Sequence, residues 1–427
     1  MAEMKDSGIE WIGKIPKNWI VSRLKYELET SMKYGASEAG VEYSDDLPRY
    51  IRITDITNNN RLKTEGKVSL TEKQANGYML EKDTVLFARS GGTVGKTFLY
   101  KPKYGKAAFA GYLISAIPDK KKMQAEWLYY YSLSNAYWDW ANQIFTQATI
   151  QNIGADKYSN LPIPIPSIDI QNAIVNYLDK KCAEIDTLYS DIEKQIHILE
   201  EYKKSIITEA VTRGLDPDVE MKDSGSVYWK DIPANWKLSD IKYLFEIVKK
   251  IAGKEGYDIL SVTQKGLKIK DISRNEGQIA ESYANYQFVY PTDYVMNHMD
   301  LLTGWVDCSK YFGVTSPDYR VFRLKDKKNN LNYYKYIMQC CYMDRIFYSL
   351  GQGVSNLGRW RLQTESFNNF QIPVPPAKEQ EQIAKYLDEK CIEIENIILD
   401  KQQQLETLEQ YKKSLIYEYV TGKKEVK

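Results

Sequence analysis

The chain repeats itself. MKDSG at residues 4–8 returns at 221–225, IPKNW at 15–19 returns as IPANW at 232–236, and LKYE at 24–27 is echoed by IKYLFE at 241–246, all at one offset of 217. A longer match follows at an offset of 209. IPIPSIDIQNAIVNYLDKKCAEID from residue 163 aligns with IPVPPAKEQEQIAKYLDEKCIEIE from residue 372, and 24 of the 50 positions from 163 to 212 are identical. The change of offset makes the intervening segment shorter in the second copy. Self-similarity of this kind marks a repeated structural unit, and it constrains the fold more than any composition does. The stretches between the matches, roughly 30–160 and 247–370, show little similarity. Similarity confined to the connecting parts describes a scaffold that presents two differently tuned modules.

The second repeated segment reads as a long helix. Its apolar positions run Ile174, Leu178, Cys182, Ile185, Leu188, Ile192, Ile196, Leu199, Tyr202, Ile206 and Ala210. These steps of three and four are coiled-coil spacing. The second copy runs Ile383, Leu387, Cys391, Ile394, Ile397, then Leu405, Leu408, Tyr411 and Leu415, with Lys401 breaking the stripe. A proline block precedes each copy, ending an extended segment and suiting a helix start. A helix of about 40 residues is about 60 Å long. Two such stripes bury best against each other, which predicts an antiparallel pair and a pseudo-two-fold arrangement. The modules read as mixed α/β, with strand-like runs at 49–56, 84–88 and 319–324 and helix-like runs at 125–140 and 332–348.

Composition removes several classes. With 427 residues the chain suits about three units at roughly 150 residues each. Net charge is only +1, so a uniformly basic nucleic-acid binder is excluded. Charge is nevertheless segregated. Residues 30–160 hold 17 basic against 13 acidic side chains and 247–371 hold 17 against 12, while 168–212 hold 5 against 9 and 377–421 hold 6 against 10. Basic modules offer an electrostatic footprint to phosphates, and acidic helices avoid it. No apolar run approaches a membrane span, and no basic-then-apolar leader pattern opens the chain. Cys182, Cys308, Cys340, Cys341 and Cys391 form no CxxC pair, so a reducing, cytoplasmic location is expected. With only His197 and His298, a histidine-based metal or catalytic site is not expected.

Three enzymatic readings fail on their own terms. GGTVGKT at 91–97 mimics a phosphate-binding loop, but Ser90 stands where the first glycine belongs, and the following FLYKPKYGK reads as extended chain. The helix whose N-terminus would hold phosphate is missing. An amino-methyltransferase needs an Asn/Asp-Pro-Pro-aromatic loop, and neither NPP nor DPP occurs. A nuclease needs clustered carboxylates with a lysine around a metal, and the acidic residues near Lys-rich sequence read as surface charge. A coiled-coil adaptor binding proteins rather than DNA stays open, because a helical stripe alone is core packing.

The duplicated opening motif, the paired helices ending in YKKS and the divergent modules together resemble the specificity subunit of type I restriction–modification systems. Further stretches are similar to that family's target-recognition domains: RYIRITDI at 49–56, ARSGGTVGK at 88–96, LSVTQKG at 260–266, YVMNHMDLLTGW at 294–305 and GVTSPDYRVFRL at 313–324. One mild departure is VYWKDIPANW in the second opening motif, where the first has IEWIGKIPKNW. The resemblance implies an α+β fold with target-recognition domains at 1–160 and 216–370 and spacer helices at 161–215 and 371–427. Each domain would read one half of a split, asymmetric site on double-stranded DNA. The helices would set the spacing and dock two methyltransferase subunits, with motor-nuclease subunits as further partners and no membrane. The chain would be non-catalytic and hold no cofactor; S-adenosylmethionine, ATP and Mg would sit on partner subunits. Arg, Lys, Asn and Gln on loops reach base edges, and Ser, Thr and glycine amides hold phosphates. The candidates of the first module are Arg52, Asn58, Arg89, Ser90, Thr93, Lys96 and Gln147. Those of the second are Gln264, Lys265, Arg274, Asn297, Gln352, Asn356, Arg359 and Arg361. Trp360 reads as core packing, and His298 as structural.

Overall fold

The computed structural model describes residues 3–57, 60–146, 152–271, 281–353 and 360–426. The chain divides into two compact units, Met1–Ile192 with Gln402–Lys427, and Glu193–Lys401. Each unit holds one opening motif, one module and a part of both long helices.

The repeated residues build the same parts twice. Met4–Asp6 pairs antiparallel with Lys14–Pro16, Met4 opposite Pro16. Met221–Asp223 pairs with Asp231–Pro233 in the same register, Met221 opposite Pro233. The proline blocks themselves form strands. Pro162–Ile165 runs antiparallel to Ile20–Arg23, and Gln371–Val374 to Lys237–Asp240. Each of these sheets has only two strands, so the missing proline N–H groups lie on free edges, where proline is tolerated. The strand carbonyls receive aromatic donors. Trp127 Nε1 donates to Pro164 at 3.0 Å and the Tyr131 hydroxyl to Pro162 at 2.8 Å. In the second unit Trp229 Nε1 donates to Gln371 at 2.6 Å and the Tyr333 hydroxyl to Pro373 at 3.0 Å.

The two long helices are α1, Ile168–Arg213, and α2, Ala377–Val420. Within each unit they run antiparallel, because partners rise in number on one helix as they fall on the other. In the first unit the rings of Tyr177 and Tyr419 lie 4.6 Å apart, and Lys412 Nζ reaches Asp186 at 2.6 Å. In the second, Lys203 pairs with Glu395, and Lys401 Nζ donates to Gln195 at 2.6 Å. The apolar stripe is buried at Ile174, Leu178, Cys182 and Ile185, and again at Ile383, Leu387, Cys391 and Ile394. Leu188, Tyr202 and Tyr411, read as part of the same stripe, are more than half exposed. The buried turns are those the module helices also cover. The Tyr130 hydroxyl donates to Asp179 at 2.6 Å, and that of Tyr336 to Asp388 at 2.8 Å. A repeated buried glutamine completes each joint. Gln171 accepts from the Gln124 N–H and donates to the Pro166 carbonyl; Gln380 accepts from the Asn330 N–H and donates to Pro375.

The modules share a sheet that their sequences do not announce. In the first, strands β1 (Lys33–Tyr34), β2 (Val85–Ala88), β3 (Thr97–Leu99) and β4 (Leu113–Ala116) stand in the order β1-β4-β2-β3, all antiparallel. In the second, β5 (Phe245–Val248), β6 (Tyr294–Met296), β7 (Val306–Cys308) and β8 (Arg320–Leu324) stand in the order β5-β8-β6-β7, again antiparallel. The equivalences are β1 with β5, β4 with β8, β2 with β6, and β3 with β7.

Three expectations about the modules change in detail. The run 49–56 is a strand only over Arg49–Ile51, after which Ile53–Asp55 turns as a 3-10 helix. The helix-like run 125–140 is two helices, Ala125–Leu133 and Asn135–Thr146. Between them Ser134 is extended, and its hydroxyl donates to the Tyr131 carbonyl, the side-chain competition that ends helices. The run 332–348 likewise breaks into Leu331–Met343 and Ile346–Ser349 at the left-handed Arg345. Each sheet packs on these helices through fully buried aromatics: Phe87, Trp127, Tyr131, Tyr137 and Tyr158 in the first unit, and Tyr294, Phe322, Tyr333, Tyr334 and Phe347 in the second.

Candidate nucleic-acid interface

The turn between β2 and β3, residues 89–96, is held from below. The Ala88 N–H donates to the Lys96 carbonyl at 2.8 Å, the Gly95 N–H to Ala88 at 3.0 Å, and the Val94 N–H to Gly91 at 3.0 Å. Positive φ at Gly91 and Gly95 lets the chain fold this tightly. Two buried tyrosines brace the frame from the core. The Tyr137 hydroxyl donates to the Gly95 carbonyl at 2.7 Å and that of Tyr158 to Ala88 at 2.8 Å. Burial raises both phenols well above their ordinary pKa, so they remain donors. The segment before the last short helix of the module clips onto the turn. Asn152 bridges to Ser90, and the Ile153 N–H donates to the Arg89 carbonyl at 2.8 Å. The Arg89 guanidinium lies over the Tyr34 ring, 4.8 Å from its centroid, and the Tyr34 hydroxyl accepts from the Ala155 N–H at 3.0 Å. Arg89 Nε and Thr93 Oγ1 are buried without a hydrogen-bond partner.

The second module repeats this plan with other side chains. The turn between β6 and β7 closes through the Asn297 N–H to the Trp305 carbonyl at 3.0 Å, and the Tyr342 hydroxyl braces the Asn297 carbonyl at 2.8 Å. The clip returns as the Leu362 N–H donating to the His298 carbonyl at 3.0 Å. Beside it Gln352 and Arg361 exchange both backbone hydrogen bonds, at 2.9 and 3.0 Å. Burial, with Arg320 and then Arg361 nearby, lowers the His298 pKa to about 4, so the ring is neutral at physiological pH. Arg320 is almost wholly buried. Its Nη2 donates to the Leu362 carbonyl at 3.0 Å and to Thr364 Oγ1 at 3.3 Å, and its guanidinium covers the Phe367 ring at 4.5 Å. Burial lowers its pKa to about 10, which leaves it charged.

The structure places the sequence candidates unevenly. Arg89, Ser90, Thr93 and Lys96 share the β2–β3 turn. Arg52 is engaged elsewhere: Nε and Nη2 grip both Asp55 carboxylate oxygens at 3.0 and 2.9 Å, and Nη2 also donates to the Gly66 carbonyl. Asn297, Gln352 and Arg361 come together around the β6–β7 turn. Gln264 and Lys265 form the exposed tip of the hairpin Leu260–Thr263 with Gly266–Ile269. That hairpin is tied to β7 by the Leu267 N–H, which donates to Asp307 at 2.8 Å. Asn58, Gln147, Arg274, Asn356 and Arg359 lie outside the described residues. Trp360 packs on the module core, donating Nε1 to the Tyr348 carbonyl at 2.6 Å. The glycine-rich 91–97 segment is the turn between β2 and β3, and the chain runs on into a strand, not into a helix that could receive a phosphate. Sequence reasoning missed Tyr34, the platform under Arg89. Its only signal is the neighbouring Gly35, where a Cβ would stand 2.3 Å from the Phe109 carbonyl oxygen. Among the described residues no helix is long and apolar enough to cross a membrane.

Comparison with known proteins agrees with this duplicated plan. The family model described as the type I restriction modification DNA specificity domain matches twice, over residues 19–197 and 233–409. The type I restriction enzyme MjaVIII specificity subunit of Methanocaldococcus jannaschii is 24% identical over 382 residues, spanning 84% of this chain and 83% of its own length. A chain of that organism named "Putative type I restriction enzyme MjaX specificity subunit" is 25% identical over 442 residues, spanning 97% and 96%. A chain from a structural study of complex assembly in the type I R-M system superposes with a TM-score of 0.68 at 12% identity, covering 95% of this chain and 98% of its own. That likeness establishes a shared fold.

Proposed function

This chain belongs to the type I restriction–modification DNA specificity family, and from that premise we propose how it divides its work. It is a specificity subunit and carries no catalytic step. Each module reads one half of a bipartite, asymmetric site on duplex DNA. The long helices set the spacing between halves and dock two methyltransferase subunits. S-adenosylmethionine, ATP and Mg act on those partners and on any motor-nuclease subunits.

One observation supports this reading above the rest. The two modules keep the same sheet order and the same clip from the last short helix to a hairpin turn, yet place different side chains there. Arg89, Ser90, Thr93 and Lys96 occupy the first turn, and Asn297, Gln352 and Arg361 surround the second. A constant frame with variable tips is what reading two unlike sequences requires, because phosphate contacts position a protein while base edges specify it. Mapping of methylated adenine in the source cell, with and without this gene, tests the reading. A split motif of fixed gap should lose its methylation on deletion, and exchanging residues 30–160 should alter one half only. An adaptor for proteins would leave the pattern unchanged, and its complex would show no duplex binding that weakens steeply with salt.

A further inference from the structure

We infer that Arg89 reads a guanine in the half-site of the first module, and that Tyr34 is the residue that aims it. This rests on the DNA-reading role proposed above. Four features of the β2–β3 turn carry it.

The first is what Arg89 lacks. Arg52 and Arg323 each grip a carboxylate, Asp55 and Asp293. Arg89 makes no ion pair among the described residues, and its Nε is buried with no hydrogen-bond partner. A half-buried guanidinium left this way has unmet hydrogen-bonding capacity that a ligand can satisfy. The second is its platform. Stacking on Tyr34 fixes the plane of the fork, and Tyr34 is itself fixed through its hydroxyl by the Ala155 N–H. Arginine loses rotamer freedom when it binds, and a stacked arginine has already lost it.

The third is the turn around it. Thr93 Oγ1 is a second buried polar atom without a partner, and a Cβ on Gly92 would meet no atom within 4 Å. Backbone can therefore approach a ligand closely beside the arginine. The fourth is rigidity, since hydrogen bonds from Tyr137, Tyr158 and Ile153 hold the turn on three sides. A planar, pre-aimed fork of donors matches guanine O6 and N7, the commonest specific contact of arginine in the major groove. A phosphate would accept a lysine equally and needs no stacked plate.

The test is selection of duplexes from a randomised pool by the full chain in complex with its modification partner. Four variants are compared with wild type: R89A, R89K, Y34F and Y34A. Wild type should enrich a bipartite motif with a guanine in one half. R89A should lose preference at that one position by roughly ten- to a hundredfold and keep every other position. R89K should lose it as well, although its charge is kept, and this variant guards against a folding defect in R89A. Y34F, which keeps the ring but loses its tie to Ala155, should retain most of the preference, while Y34A should weaken it further at the same position without changing the salt dependence. Uniform weakening by R89A across all sequences, with a salt slope shallower by about one, would assign Arg89 to a phosphate and overturn the inference. An unchanged motif in R89A would overturn it too. If wild type enriches no motif, the DNA-reading role fails instead.

Discussion

The backbone N–H of Leu362 donates to the carbonyl of His298 at 3.0 Å, and Ile153 makes the same bond to Arg89 in a module of unrelated sequence. In both, the chain entering the last short helix is pinned to the hairpin turn that follows the third strand of the sheet order. Proline at either position removes the donor and leaves a carbonyl unpaired, at a cost of about 1–3 kcal/mol. L362P should blur selection of the second half-site and leave the first intact, and I153P should do the reverse. Selection from a randomised duplex pool reads both outcomes, and loss of both halves from one substitution would contradict the modular reading.

His298 gives the second module a pH signature. Its folded pKa of about 4 lies below the ordinary value of 6.5, so folding favours the neutral ring. The stabilisation this brings is fully present above pH 6.5 and is lost as pH falls towards 4. Thermal midpoints of wild type and H298Q, followed over that window, should therefore converge as pH drops, whereas carboxylate protonation shifts both alike. Parallel curves would show that the imidazole does not titrate as its surroundings require.

Arg320 is a buried cation used as a structural tie. It supports the Leu362 carbonyl and the Thr364 hydroxyl while stacking on Phe367. R320A should destabilise the second unit by about 2–4 kcal/mol, since two charged hydrogen bonds and the stack on Phe367 are lost and the Leu362 carbonyl stays buried without its partner. R320K should recover little, because an ammonium cannot both stack and fork. Urea unfolding monitored within residues 193–401 measures both; full rescue by lysine would mean that charge alone matters.

The C-terminal residues belong to the first unit. Tyr419 packs on Tyr177, Lys412 pairs with Asp186, and Lys423 donates to the Ile12 carbonyl at 3.1 Å. Truncation after residue 401 should raise hydrogen exchange in residues 1–192, including the module far away in sequence, and leave the 193–401 unit protected. Exchange that rises only near the cut would refute this division of the chain.

Much of the scaffold was legible because it was written twice. The repetition of the opening motif and the two helices follow from the matched segments, and identities such as Gln171 with Gln380 and Asp179 with Asp388 make the same contacts in each unit. The kinship of the modules was legible only in the helix-like run near the end of each, 125–140 and 332–348, and not in their strands. A buried strand asks only for apolar bulk, so Val85-Leu86-Phe87-Ala88 and Tyr294-Val295-Met296 satisfy one position in the fold with no identity. Residue type also did not announce that Arg52, on a turn, grips its own Asp55. At Arg89 the decisive partner, Tyr34, lies 55 positions away, on a strand only two residues long. Apart from the neighbouring Gly35, no local pattern announces such a contact.

The first unit draws its second stretch of helix from the far end of the chain, and this has a consequence for synthesis. A ribosome releases residues 193–401 as one contiguous block. The unit begun by the first residue is complete only when 402–427 emerge, at least 210 residues after residue 192. At about 5–20 residues per second that is a wait of roughly 10 to 40 s. Throughout it, the stripe at Ile174, Leu178, Cys182 and Ile185 lacks its partner helix. The half of the molecule made first is the half finished last, and a nascent chain stalled in between displays an apolar helix to whatever chaperones attend it.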